Sequence, residues 1–112
     1  MTGRPTALAL ACVVALTGCG AGAVTPDRAA DAVGSALAVQ QDGAQVRVQF
    51  AHDVGYEYYE GTQFVLGDAV TVTGAVDRPT AIRPGDRLRV WTAACAESFP
   101  VQCQVEAVEV LD

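Results

Sequence analysis

Gln45-Val46-Arg47-Val48-Gln49-Phe50 places an apolar side chain at every second position, the period of a strand with one face in a core and the other in water. Asp42-Gly43 just before it is a turn signal, and Leu37 and Val39 alternate on the far side, so the stretch reads as the second arm of a β-hairpin. Working outward, the pattern recurs. Tyr56–Tyr59 and Gln63–Leu66 are aromatic and β-branched runs split by Gly61, and Val70-Thr71-Val72-Thr73 lies between Gly67-Asp68 and Gly74. Pro79 and Pro84-Gly85-Asp86 punctuate a loop before Leu88–Thr92, which alternates again. Cys103–Leu111 is a long last strand whose apolar phase slips between Val105 and Val108, predicting a β-bulge near Ala107. About five strands without a secure central helix indicate an all-β fold, a small five-stranded barrel. Upstream, Thr25-Pro26-Asp27 offers an N-cap, a first-turn proline and an acidic first turn, so a short N-terminal helix is expected, running into a strand near Ala36–Gln40. Gly34 interrupts that Ala-rich segment, so helix and strand compete there.

The chain opens with Arg4 and then an almost wholly apolar run, Thr6–Leu16. Eleven residues fall short of the roughly 20 that a membrane-crossing helix needs, but suit the hydrophobic region of a signal peptide. Leu16-Thr17-Gly18-Cys19 then resembles the bacterial lipoprotein lipobox. That resemblance implies a diacylglyceryl thioether on Cys19 and cleavage before it, the thiol being a strong side-chain nucleophile. An ordinary secretory signal cut at a nearby Ala or Gly is the alternative. The expected organisation is a signal peptide over 1–18, a lipidated tether over 19–26 and one β-barrel domain over 27–112. The expected location is the cell membrane, lipid-anchored on its extracytoplasmic face.

Removing 18 residues leaves 94, enough for one domain with a modest core. That remainder holds six arginines, no lysine and all 13 acids, a formal charge of −7. Such a domain is repelled by nucleic acid and by anionic headgroups, which makes nucleic acid a poor partner. With Cys12 in the leader and Cys19 alkylated, Cys95 and Cys103 remain. In an oxidising compartment a disulfide between them is the expected outcome, worth about 2.5 kcal/mol through the denatured chain. Two free thiols, or a metal pair, are the alternatives, and one remote histidine makes a weak metal signal.

The last third, Ala81-Ile82-Arg83-Pro84-Gly85-Asp86-Arg87-Leu88-Arg89-Val90-Trp91 followed by Glu97-Ser98-Phe99-Pro100-Val101-Gln102, resembles a family of small exported bacterial domains of unknown function. The resemblance covers roughly residues 68–111 and implies a five-stranded OB-like barrel, and no activity. The residues also carry local readings of their own. Asp86 is placed to accept bonds from turn amides, and Glu97 and Ser98 either cap loop amides or touch a ligand. An aromatic residue before Pro100 raises the cis fraction of the Phe99–Pro100 bond, and the sequence leaves cis and trans both open.

Catalytic constellations are thin. His52-Asp53 is the one histidine beside an acid, and neither Ser35 nor Ser98 sits in a nucleophile elbow. Glu57, Glu60 and Asp68 lack calcium-loop spacing. Tyr56, Tyr58, Tyr59 and Trp91 resemble the stacking platforms of OB barrels, although Tyr56 and Tyr58 on one strand face also suit a core. No catalytic residue, metal ligand or cofactor is assigned. The expectation is a non-catalytic binding or structural module of the cell envelope, held to the membrane through Cys19 and meeting an envelope protein. Its candidate binding residues are Tyr56, Tyr58, Tyr59, Trp91, Glu97, Ser98 and Phe99. The rival readings are a small hydrolase using His52 with a carboxylate, and an inhibitor-like module presenting the Cys95–Cys103 loop.

Overall fold

The computed structural model describes residues 24–112; the leader, Cys19 and most of the tether lie outside the described residues. The chain is all-β. In order come β1 (Ala32–Asp42), β2 (Gln45–His52), a 3-10 turn (Glu57–Tyr59), β3 (Gln63–Leu66), β4 (Thr71–Gly74), a second 3-10 turn (Pro79–Ala81), β5 (Arg87–Ala96) and β6 (Gln102–Leu111). They form a six-stranded sheet in the order β3-β2-β1-β5-β6-β4. This corrects the five-stranded barrel: there are six strands in an open sheet. The runs Gln63–Leu66 and Val70–Thr73, read as separate candidates on either side of Gly67-Asp68, are separate strands, and between them the Val70 amide donates to the Gly67 carbonyl at 3.2 Å. β3 pairs antiparallel with β2, and β4 pairs parallel with β6.

β1 and β2 form the hairpin that the alternation predicts, with Asp42 opposite Gln45. Its two-residue loop is Gly43-Ala44, one position later than the Asp-Gly signal, and Gly43 takes the positive φ of 68°. Val46, Val48 and Phe50 all face inward. Leu37 does not: the register shifts between Ala36 and Ala38, leaving Leu37 as the bulged residue and 65% exposed. Among the described residues no helix precedes β1. Its inner face alternates the small residues Ala32, Gly34 and Ala36. Gly34 is required because a Cβ there would collide with the Ala51 carbonyl oxygen and the Phe50 ring. Phe50 thus lies over β1 and meets Phe64 edge to face at 5.1 Å, and around this pair Leu66, Leu88, Val90, Val108 and Val110 complete the core.

The predicted bulge in the last strand is present. Trp91 pairs with Ala107 and Thr92 with Val105, so Glu106 is the extra residue and Ala107 and Val108 are both buried in succession. The bulge turns Glu106 toward Arg28, whose guanidinium reaches its carboxylate at 2.8 Å and that of Asp31 at 2.9 Å. Arg28 also donates to the Thr92 carbonyl, and its own carbonyl accepts the Trp91 indole N–H at 2.8 Å. Asp31 in turn receives the Thr92 amide. These contacts fasten an extended Arg28–Asp31 clasp onto β5 and β6, where a first helical turn was expected.

Candidate functional site

The β5–β6 hairpin runs past the body of the sheet and folds back on it. Cys95 and Cys103 stand opposite each other in the ladder and are joined as a disulfide, and the Phe99–Pro100 bond at the tip is cis. Val101 is buried, and its carbonyl accepts the hydroxyl of Thr62 at 3.1 Å. Thr62, just before β3, is itself fully buried. On the tip's other flank the Tyr58 hydroxyl donates to the Glu97 carboxylate at 3.0 Å, which raises the phenol's pKa. The tip is therefore held against the 3-10 turn and the start of β3 by one buried and one exposed hydrogen bond.

Between this hairpin and the outward faces of β2 and β3 lies a groove of about 830 Å³, within the size range of ligand sites. Arg47 and Gln49 come from β2, Gln63 and Val65 from β3, and Gln102 and Gln104 from β6, with the disulfide at one wall. Strand alternation explains the composition: the residues between the inward apolar positions of β2 and β3 are glutamines, one arginine and Val65. No carboxylate lines the groove, although the chain carries 13 acids. Arg47 is its only cation, loosely met by Asp42 at 3.7 Å.

The candidate residues read from sequence divide among three places. Tyr59 belongs to the core, its ring 6.1 Å from Phe64. Tyr56 lines a second hollow together with the edge of Trp91. Tyr58 and Glu97 meet at the hairpin tip, where Ser98 donates to the Pro100 carbonyl and Phe99 is 85% exposed. No joint aromatic platform results, and Tyr56–Tyr59 is not a strand: Gly55 and Gly61, with φ of 100° and 76°, bend the segment into a 3-10 turn. The groove-lining glutamines and Arg47 were missed as a site. Their signal was the uncharged polar filling of outward strand positions in an otherwise acidic chain.

The side chains of His52 and Asp53 take different partners. The His52 ring Nδ1 lies 2.9 Å from the Asp53 backbone carbonyl, while the Asp53 carboxylate takes both terminal nitrogens of Arg87, at 2.9 and 2.6 Å. Those Arg87 bonds hold the Asp53 pKa below the usual carboxylate range. Arg87 also engages Ser35 at 3.1 Å, so serine and acid are both tied to an arginine. Glu57 is turned back on the Gly55 amide, which lowers its pKa. Among the described residues no three His, Cys, Asp or Glu side chains gather as a metal site. Comparison with protein families, curated proteins and solved structures finds no match for this chain.

Proposed function

We propose that the protein is an exported lipoprotein, anchored through Cys19 at the extracytoplasmic face of the membrane, whose OB-like domain binds a partner in the groove above β2 and β3. The observation that carries the binding role is the groove's composition: four glutamines and one arginine, without a carboxylate, in a strongly acidic chain. A surface that serves only solubility would carry the chain's prevailing charge there. Support for the OB-like class comes from connectivity. β1, β2 and β3 form an antiparallel meander, β1 also pairs with β5, and β6 takes its second partner in parallel. OB domains bind across the face of their second and third strands and the flanking loops, which is where the groove lies. Support for the anchor comes from the apolar Thr6–Leu16 run leading into Leu16-Thr17-Gly18-Cys19. Both parts are open to test in intact cells. A photo-crosslinking amino acid at Gln63 should capture a partner that the same group at Arg78 does not, and Cys19→Ser should release the protein from the membrane fraction. Equal crosslinking from both positions removes the binding reading, and unchanged membrane retention removes the anchor.

A further inference from the structure

Taking the groove as the binding site, we propose that its ligand is a short oligosaccharide with one carboxylate, held by side chains alone. Floor and wall of the groove meet. The Thr62 hydroxyl donates to the Val101 carbonyl at 3.1 Å, and a Cβ at Gly61 would lie 3.6 Å from Pro100. There β6 is seated against the start of β3, so the groove offers a ligand side chains rather than a sheet edge. The ladder fixes much of their layout. Gln49 stands opposite Gln63, and Arg47 opposite Val65; opposed side chains on one face lie about 5 Å apart. On β6, Gln102 and Gln104 flank Cys103 and are both exposed, which puts them on one face of that strand. Four primary amides and one guanidinium thus line a single space.

Each glutamine amide both donates and accepts. A sugar hydroxyl does the same, so the two pair in either sense and neither needs a charge. Between the amides lie small apolar groups, Ala94, Ala96, Pro100 and Val65, with the disulfide beside them. Val65 is 39% exposed, apolar surface that the C–H face of a sugar ring would remove from water. Arg47, half-exposed and with its carboxylate partner distant, supplies the counter-charge for one carboxylate. A polyanion would meet only that one cation in an acidic chain, and no aromatic ring lines the groove for a base to stack on. A peptide strand would find no edge there to extend. The space of about 830 Å³ exceeds what a single sugar ring fills, which points to a short oligosaccharide.

The probe is an array of di- to hexasaccharides in neutral, singly carboxylated and polyanionic forms, read with the full mature protein. Singly carboxylated members should be retained best. The best binder is then compared with its neutral counterpart, made by reducing the carboxylate to an alcohol, which should bind several-fold more weakly. Arg47→Gln should erase that difference while still binding the neutral form. Gln63→Leu, and Gln102→Ala on the opposite wall, should each weaken both forms at least tenfold with Tm unchanged. Preferential retention of polyanions overturns the proposal, as does binding that neither glutamine variant weakens or a preference that survives Arg47→Gln. A blank array overturns it too, and the crosslink from Gln63 in cells then judges the binding role separately. A polypeptide captured there keeps the groove as a binding site for protein, and no capture removes both readings.

Discussion

Replacing Thr62 by valine tests whether one buried hydrogen bond holds the groove's wall. Threonine and valine have nearly the same shape, so packing is preserved and the change isolates the hydroxyl. Thr62 is 0% exposed, and its Oγ1 donates to the Val101 carbonyl at 3.1 Å; Val101 is itself buried. The variant loses the bond and leaves that carbonyl unpaired away from water, a penalty of about 1–2 kcal/mol. In a domain of this size that corresponds to a fall in Tm of roughly 5–15 °C. Thermal unfolding followed by circular dichroism measures it, with Thr62→Ser as the control that keeps the hydroxyl. Amide exchange at the hairpin tip should accelerate in the valine variant more than exchange in β1 or β2. A Tm within 2 °C of the parent, or uniform acceleration throughout the sheet, would refute the assignment of Thr62 as the fastener between β3 and the hairpin.

Other perturbations follow from the same structure. Cys95→Ser with Cys103→Ser should reduce stability by about 2.5 kcal/mol in urea unfolding, and an unchanged midpoint would mean the hairpin is held by its side-chain bonds alone. Gly34→Ala should lose about 3 kcal/mol or more, since the new methyl meets the Ala51 backbone and the Phe50 ring; a variant within 1 kcal/mol of the parent would contradict the close approach of β1 and β2. Acid should destabilise the fold through Asp53, Asp31 and Glu57. Arg87 lowers the pKa of Asp53. At Asp31 partial burial pushes upward but is outweighed by the Thr92 amide and Arg28, and at Glu57 the Gly55 amide lowers it. Each group releases its proton more readily when folded, so the stability it confers is complete above the ordinary carboxylate range and fades as pH falls through about 4. Tm should be level between pH 7 and pH 5 and decline below that. Arg87→Met should flatten the decline, and an unaltered acid limb in that variant would remove Asp53 as a contributor.

Much of the architecture was legible because the period-two signal is strong where large apolar residues alternate, as at Val46, Val48 and Phe50. The bulge at Glu106 was legible too, since a phase slip between two apolar runs has no other simple cause. The bulge at Leu37 was not. Its neighbours Ala36 and Ala38 read equally well inward or outward, so Leu37 passed for a core residue. Tyr56–Tyr59 misled because aromatic density resembles a strand, while the positive φ of the flanking Gly55 and Gly61 shows only in three dimensions. The N-terminal helix signals at Thr25–Asp27 were overridden by tertiary contacts from Arg28 and Asp31 to β5 and β6. The groove lay furthest from view. Its residues were readable singly as outward polar positions, but only the return of the β5–β6 hairpin over β2 and β3 makes them one surface.

The Arg28–Asp31 clasp also has a mechanical meaning. A pull on the chain ahead of Arg28 is received first by Trp91, Thr92 and Glu106, which belong to β5 and β6. Each of those strands has a neighbour on both sides, so the force enters the middle of the sheet and is spread through two ladders before β1 begins to part. β3, whose outer edge borders the groove, lies at the end of the strand order and carries none of that first load. A tug on the amino-terminal end would therefore reach the groove through its β5 and β6 wall, at Ala94–Ala96 and Gln102–Gln104, before its β2 and β3 floor.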